Sequence, residues 1–285
     1  MPEKQNSSKV VLVTGASSGI GKATSLRLIA DGHKVYGAAR RVELMKDLTE
    51  LGAEVVSMDI TVEEDIESCI HNIISKHGQL DVLVNNAGYG TFGPVETIAL
   101  DDARHQFEVN LFGLASLTQK VIPRMREKNF GRIINISSMG GKIYTPFGAW
   151  YHASKHALEG WSDCLRIELE EFGIDVVLIQ PGMIHTEFAD RMFEPMLERS
   201  RNTAYERISS MFAEANLKLM ANVDAFSPPE VIADVISKAI HSKKPKTRYA
   251  AGKMAKISLM ARSLLSDRMF DHMMMSQLKK MIEKH

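Results

Sequence analysis

"VLVTGASSGIGKA", residues 11–23, is the stretch that decides how this chain folds. A β-branched run, "KVVLVT" (9–14), stops at Gly15. A helical pattern then runs from about Gly19 to Asp31 and ends at Gly32. Between strand and helix stand Gly15, Gly19 and Gly21, spaced G-x-x-x-G-x-G rather than G-x-G-x-x-G. Small residues there let the backbone approach a pyrophosphate, and the helix N-terminus supplies amide donors and a partial positive charge. Any tight strand-to-helix turn can use glycine, so the meaning of the loop depends on its surroundings.

Those surroundings repeat the pattern. "HKVYGAAR" (33–40), "AEVVSMD" (53–59), "LDVLVNN" (80–86), "GRIINIS" (131–137) and "IDVVLIQ" (174–180) are nearly continuous apolar runs. Strands covered on both faces look like this. Helical segments alternate with them. One starts at "TVEE", where Thr61 and Glu64 make a capping box, and runs to about His77 before Gly78. Others cover about 102–128 and 149–172, the latter ended by Gly173. The alternation predicts an α/β fold: a single domain with a doubly wound parallel sheet of about seven strands flanked by helices. In that setting the glycine loop, placed after the first strand, reads as a dinucleotide-binding turn.

After Pro181 the pattern changes. Residues 183–226 have helical periodicity and no strand. "SPPEVIADVISKAI" (227–240) predicts a helix with Ser227 as N-cap, and "TRYAAG" (247–252) a last strand. The remainder is helical and rich in methionine. The chain thus divides into a core at 8–186, a segment at 187–226 that would cover the sheet's carboxyl edge as a lid, and a helical C-terminal extension at 253–285.

Composition narrows the function classes. The 285 residues suit one large domain with a sizeable core, and 45% hydrophobic with 25% charged residues is ordinary for a globular protein. Thirty-five basic side chains balance 35 acidic ones, so no global field attracts nucleic acid. The cysteines, Cys69 and Cys164, stand far apart and in no metal-ligand spacing, so neither a disulfide scaffold nor a metal site is expected, and a reducing compartment is. The N-terminus "MPEKQNSSKV" has no apolar h-region, and no run of 18 apolar residues could span a bilayer. A cytoplasmic protein is the expectation.

"WYHASKHALEG" (150–160) sets Tyr151 and Lys155 four residues apart, neighbours on one helix face. Taken with TGASSGIG (14–21), NNAG (85–88), Asn110 in "VNLFG", "NISS" (135–138) and "PGMIHT" (181–186), in that order, the chain resembles the classical short-chain dehydrogenase/reductase family. The tail "TRYAAGKMAKISLMARSLLSDRMFDHMM" (247–274) is similar, less specifically, to members of the 17β-hydroxysteroid and retinol dehydrogenase-like branch. The resemblance implies a Rossmann-like single domain and a catalytic tetrad of Asn110, Ser138, Tyr151 and Lys155; the family's spacing of 13 positions before the tyrosine selects Ser138 over Ser137. It implies cofactor contacts from Gly15, Ser17, Ser18, Gly19, Ile20, Gly21, Arg40, Arg41, Asp59, Ile60, Asn86, Ala87, Gly88, Tyr151, Lys155, Pro181, Gly182, Ile184 and Thr186. It also implies a homo-oligomer, dimer or tetramer, with the helices at 102–128 and 149–172 as the usual contact surface.

The residue types fit hydride transfer to a carbonyl, which needs a proton donor and a partner for the oxygen. A tyrosine of ordinary pKa about 10, next to Lys155 and an oxidised nicotinamide, is expected to titrate closer to the working pH. Tyr151 would carry the proton, Ser138 would bind the substrate oxygen, and Lys155 would hold the nicotinamide ribose. Asn110 would anchor a water that relays protons from Lys155, or serve only as a polar group in helix packing. Thr186 would meet the carboxamide. His152 and His185 are assigned no catalytic work.

An NAD enzyme usually places an acid at the end of the second strand. Here Ala39 stands there, followed by Arg40 and Arg41, and guanidinium groups suit a 2′-phosphate. NADP is therefore expected over NAD, with Arg40 as the main determinant; Ser18, not a basic residue, occupies the usual basic position in the glycine loop. Asp59 would bind adenine, and Asn86 and Ala87 would line the adenosine.

The lid carries Phe188, Met192, Phe193, Met196, Leu197, Tyr205, Met211 and Phe212, either ordinary helix packing or an apolar pocket with adaptable methionines. Tyr89, Phe92, Pro94 and residues 140–147 would add walls. An apolar carbonyl compound or alcohol is the expected substrate. In the tail, Met254, Ile257, Ala261, Leu264 and Leu265 form one stripe beside Lys253, Lys256 and Arg262; it could cover the core, meet another subunit or lie on a membrane surface. A non-catalytic dinucleotide-binding sensor or scaffold of the same fold is the alternative function, and a dehydratase or epimerase a third.

Overall fold

The computed structural model describes residues 8–187 and 192–283. Seven parallel strands form one sheet in the order β3-β2-β1-β4-β5-β6-β7. They are β1 (Val10–Thr14), β2 (Lys34–Ala39), β3 (Glu54–Ser57), β4 (Val82–Asn85), β5 (Gly131–Ile136), β6 (Ile174–Pro181) and β7 (Arg248–Ala251). β1 pairs with β2 on one side and β4 on the other, so the connections leave it in opposite directions. A crevice opens at the carboxyl edge of such a switch point.

The strands are apolar throughout because both faces are covered. Val11 and Val13 of β1 face one core, with Val84, Ile134, Val177 and Ile179. Leu28 from α1 (Gly19–Ala30), Leu48 from α2 (Lys46–Glu50) and Ile232, Ile236 and Ile240 from α9 (Glu230–His241) close it. Val10 and Leu12 face the other, with Leu83, Ile133 and Val176. That core is closed by Ile66 and Ile73 from α3 (Glu63–His77), Leu117 and Val121 from α5 (Gly113–Glu127) and Leu165 from α6 (Ala149–Leu169). Neighbouring residues enter opposite cores, as the twofold period of a strand requires.

Several boundaries differ from the sequence reading. Thr61 and Glu64 form no capping box: α3 begins at Glu63 after Val62, and the Thr61 hydroxyl instead donates to Asp59 Oδ1 at 2.8 Å. Ser227 does not cap α9; Pro229 holds that position, and the Ser227 hydroxyl accepts from the Lys253 amide at 3.1 Å. The helix expected at 102–128 begins at Leu100 as α4 (Leu100–Phe107) and continues through a π-helical turn, Glu108–Phe112, into α5. The short α2 between β2 and β3 was not expected.

Beyond β6 lie α7 (Phe193–Ser200) and α8 (Glu206–Ala221), then α9 and β7, then α10 (Ala255–Leu264) and α11 (Asp267–Glu283). A third apolar cluster joins Phe92, Phe193, Met196, Phe212, Ala213 and Ala215. No helix of the described residues is long and apolar enough to cross a membrane.

Candidate active site

The glycine loop takes its shape from close approaches. Gly15 and Gly19 have φ of +66° and +51°, a region where only glycine is unstrained. A Cβ on Gly21 would lie 2.3 Å from the Gly15 carbonyl oxygen, so Gly21 makes room for the loop and does not face the crevice. The NNAG segment fastens the loop from behind. Thr14 Oγ1 accepts from the amides of Asn86 and Ala87 at 3.0 and 2.9 Å, and the Asn86 amide side chain donates to the Thr14 carbonyl at 2.9 Å.

In front of this loop lies a crevice of about 820 Å3. Every predicted catalytic and cofactor residue lines it except Gly21 and Asn110. Strand ends bring them together: Ser138 follows β5, Pro181 and Gly182 follow from β6, Arg40 and Arg41 follow β2, and α6 presents Tyr151 and Lys155 on one face.

Ser138 adopts an extended backbone before a single 3-10 turn, and its Oγ accepts from the Gly140 amide at 2.9 Å. The Tyr151 phenol is hydrogen-bonded to Ser138, and its ring lies 5.6 Å from that of Phe92. Ser137 also lines the crevice, but its hydroxyl is buried beside Gly141 and has no hydrogen-bond partner. Lys155 is buried; its Nζ donates to the Ile136 carbonyl oxygen at 2.8 Å.

In the ligand-free chain burial favours the neutral form of both Tyr151 and Lys155. Burial pushes the Tyr151 phenol above its ordinary range, and the Ser138 hydrogen bond offsets this only in part. Lys155 is penalised as well: burial depresses its ammonium to about 8, opposed by the nearby Glu159 carboxylate.

Asn110 sits on the π-helical turn and is buried. Its Oδ1 accepts from the Tyr89 amide at 3.1 Å, and its Nδ2 donates to the Tyr89 carbonyl and Ser154 Oγ at 2.9 and 3.0 Å. The side chain is thus committed to holding the segment after NNAG against α6, and it does not reach the crevice.

At the other end, Arg40 is mostly exposed and lies 3.7 Å from Asp59 Oδ2. Burial works to raise the Asp59 carboxyl, but hydrogen bonds from Thr61 and the Arg40 charge hold it below its usual range. Arg41 pairs with Glu187 at 3.7 Å. Lys22 turns away, to Asp47 at 3.0 Å. The residues present fit a 2′-phosphorylated dinucleotide: the glycines leave a cradle for pyrophosphate, no acid follows Ala38 at the strand end, and two guanidinium groups flank it.

Lid and tail complete the walls. Met192, Phe193 and Phe212 line the crevice, with Tyr89, Ile143, Thr145 and Pro146 opposite. Met196 and Leu197 pack in the apolar cluster behind; Phe92 joins that cluster, whereas Pro94, Tyr205 and Met211 do not line the crevice. Phe188 lies outside the described residues. Sequence reasoning missed the tail's part here. Ile257 and Ala261 of α10, and Phe270, Met273 and Met274 of α11, line the same space. Phe270 packs edge-on against Tyr144 at 5.1 Å, whose hydroxyl hydrogen-bonds Asp271 at 2.9 Å. Phe270, the one Phe, Tyr or Trp in the methionine-rich segment 253–285, was the signal available. His152 holds the loop between these walls: Nδ1 bonds the Gly140 carbonyl at 2.9 Å, and Nε2 accepts from the Thr145 amide at 3.1 Å.

A doubly wound sheet with a glycine-rich first turn, and a Ser-Tyr-Lys cluster at its switch point, defines a nucleotide-binding α/β protein built for oxidoreduction. Residues 9–196 match the family described as short chain dehydrogenase, and the chain belongs to that oxidoreductase family. It is 33% identical over 268 residues to the 3-ketodihydrosphingosine reductase of Bacteroides thetaiotaomicron, covering 93% of this chain and 96% of that protein. It is 34% identical over 295 residues to the NADPH-dependent 3-dehydrocapnine reductase of Ornithobacterium rhinotracheale, covering 97% and 99%. The crystal structure of a short-chain dehydrogenase from Streptomyces avermitilis superposes with a TM-score of 0.77 at 33% identity, covering 90% of this chain and 93% of that one.

Proposed function

We propose that the chain is an NADP(H)-dependent oxidoreductase that interconverts an apolar carbonyl compound and its alcohol, with Tyr151 as general acid/base. One observation carries this: the Tyr151 phenol, hydrogen-bonded to Ser138 and one turn from buried Lys155, stands in a crevice continuous with the glycine loop. A bound nicotinamide would supply or accept the hydride.

In reduction, Tyr151 donates its proton to the carbonyl oxygen while the Ser138 hydroxyl donates a hydrogen bond to the same atom. The raised Tyr151 pKa keeps the phenol protonated at neutral pH, which suits the acid role. Lys155, with its ammonium at about 8, is largely charged there and stabilises the phenolate left behind. Asn110 positions the segment Gly88–Tyr89 beside Lys155 rather than acting on the substrate. Arg40, with Arg41, favours a 2′-phosphate, and a relative named as NADPH-dependent supports that preference.

Apolar lid and tail residues support an apolar substrate, and the two relatives named as reductases support reduction as the direction. Met260 and Leu264 are exposed on α10 and support self-association into a homo-oligomer. A sensor or scaffold would need neither Tyr151 nor Ser138. The test is a panel of apolar ketones and aldehydes with NADPH and NADH. Cofactor oxidation with at least one carbonyl, faster with NADPH, is the expected result; tight NADPH binding with no turnover across the panel would favour the sensor.

A further inference from the structure

At the opposite end of the sheet from the crevice, three metal-ligating side chains converge. Asp31 caps the C-terminus of α1, His33 precedes β2 after the turn at Gly32, and His241 ends α9. One ligand atom from each lies within 4.8 Å of those of the other two, the only such group among the described residues. The two imidazole rings stack with centroids 5.1 Å apart.

The surroundings orient these groups. His241 Nδ1 lies 2.8 Å from the Ser237 carbonyl oxygen, so it donates there and leaves Nε2 with a free lone pair. Ser237 Oγ, 3.3 Å from the same Nδ1, donates to Asp31 Oδ2 at 2.6 Å. Asp31 Oδ1 accepts from Arg27 Nε at 3.0 Å. A carbonyl behind an imidazole and a hydroxyl on a carboxylate are the outer contacts that hold metal ligands in place.

His33 supplies an independent observation. It is 7% exposed, and its Nε2 is buried with no hydrogen-bond partner. Its Nδ1 accepts from the Lys9 amide at 3.4 Å, at the long limit of a hydrogen bond. Coordination through Nε2 moves the ring proton to Nδ1, gives up that weak contact and satisfies the orphaned nitrogen.

We propose that Asp31, His33 and His241 bind one divalent transition-metal ion of the zinc class, with solvent completing the coordination. Two imidazoles and one carboxylate suit zinc, cobalt and nickel better than calcium or magnesium. A tetrahedral ion with bonds of about 2.1 Å draws its ligand atoms to about 3.4 Å apart, reached from a spacing of at most 4.8 Å by small side-chain shifts. The ion would staple α1 to α9, helices already joined by the Arg27–Asp234 ion pair.

The test is titration of the full-length, chelator-treated protein with cobalt(II), read by its visible absorption, followed by zinc displacement. One saturable equivalent is expected. His33→Ala and His241→Ala should each weaken binding at least about tenfold, while His71→Gln, on the exposed face of α3, should change nothing. Should the variants fail to fold, paramagnetic shifts in the wild type would settle it by falling on the His33 and His241 ring signals. Absence of saturable binding, binding unchanged in both histidine variants, or shifts on other histidines would overturn the proposal.

Discussion

Lys155 Nζ donates to the carbonyl oxygen of Ile136 at 2.8 Å, tying the lysine on α6 to the last residue of β5, two positions before Ser138. Three groups of the proposed chemistry thereby share one rigid frame. The same bond holds the ammonium in a buried place, where burial depresses it to about 8.

That depression has a sign that can be checked. Between about 8 and the ordinary 10.5 the unfolded chain binds a proton that the folded one has lost. Stability of the ligand-free protein contributed by this group therefore rises with pH across that window. The rate of carbonyl reduction runs the other way, because it uses the charged lysine, and should fall as pH passes about 8. A pH–rate profile beside denaturant unfolding at matched pH values measures both. In Lys155→Met the stability slope should flatten.

Arg40→Ala should weaken NADPH binding by about ten- to a hundredfold, the size of a lost charge-assisted hydrogen bond, and leave NADH binding nearly unchanged. Fluorescence titration with both cofactors measures it. An equal loss for both would move selectivity to Arg41.

Gly21→Ala brings a Cβ to 2.3 Å from the Gly15 carbonyl oxygen, and neither backbone can yield cheaply. A loss of about 1–3 kcal/mol in stability is expected by analogy with overpacking, together with weaker binding of either cofactor. Gly160→Ala, where a Cβ meets nothing within 4 Å, is the control.

Phe270→Ala removes a buried ring from the α11 wall of the crevice. KM for an apolar carbonyl should rise while the Kd for NADPH stays put, because the glycine loop lies elsewhere. Steady-state kinetics with one carbonyl from the panel separates the two.

Much of this was legible in the sequence, and for physical reasons. The runs at 9–14, 80–86 and 174–180 announce strands covered on both faces. Gly15 and Gly19 mark a turn that requires positive φ. Tyr151 and Lys155 share a face by helical spacing alone. What was hidden depends on tertiary neighbours. The capping-box failure is the exception: Thr61 bonds to Asp59, two residues back, a local partner that competes with the cap on α3. The raised Tyr151 phenol follows from burial, which no spacing reveals. The side chain of Asn110 is spent on Tyr89 and Ser154, and Phe270 reaches the crevice only because α11 folds back against Tyr144.

The most direct measurement is NADPH oxidation by Tyr151→Phe with a carbonyl that the unaltered protein reduces, alongside NADPH titration of the same variant. The account predicts a rate at least about a hundredfold lower, as expected when a general acid is removed, with NADPH affinity little changed. Undiminished turnover in a variant that binds NADPH normally would contradict it.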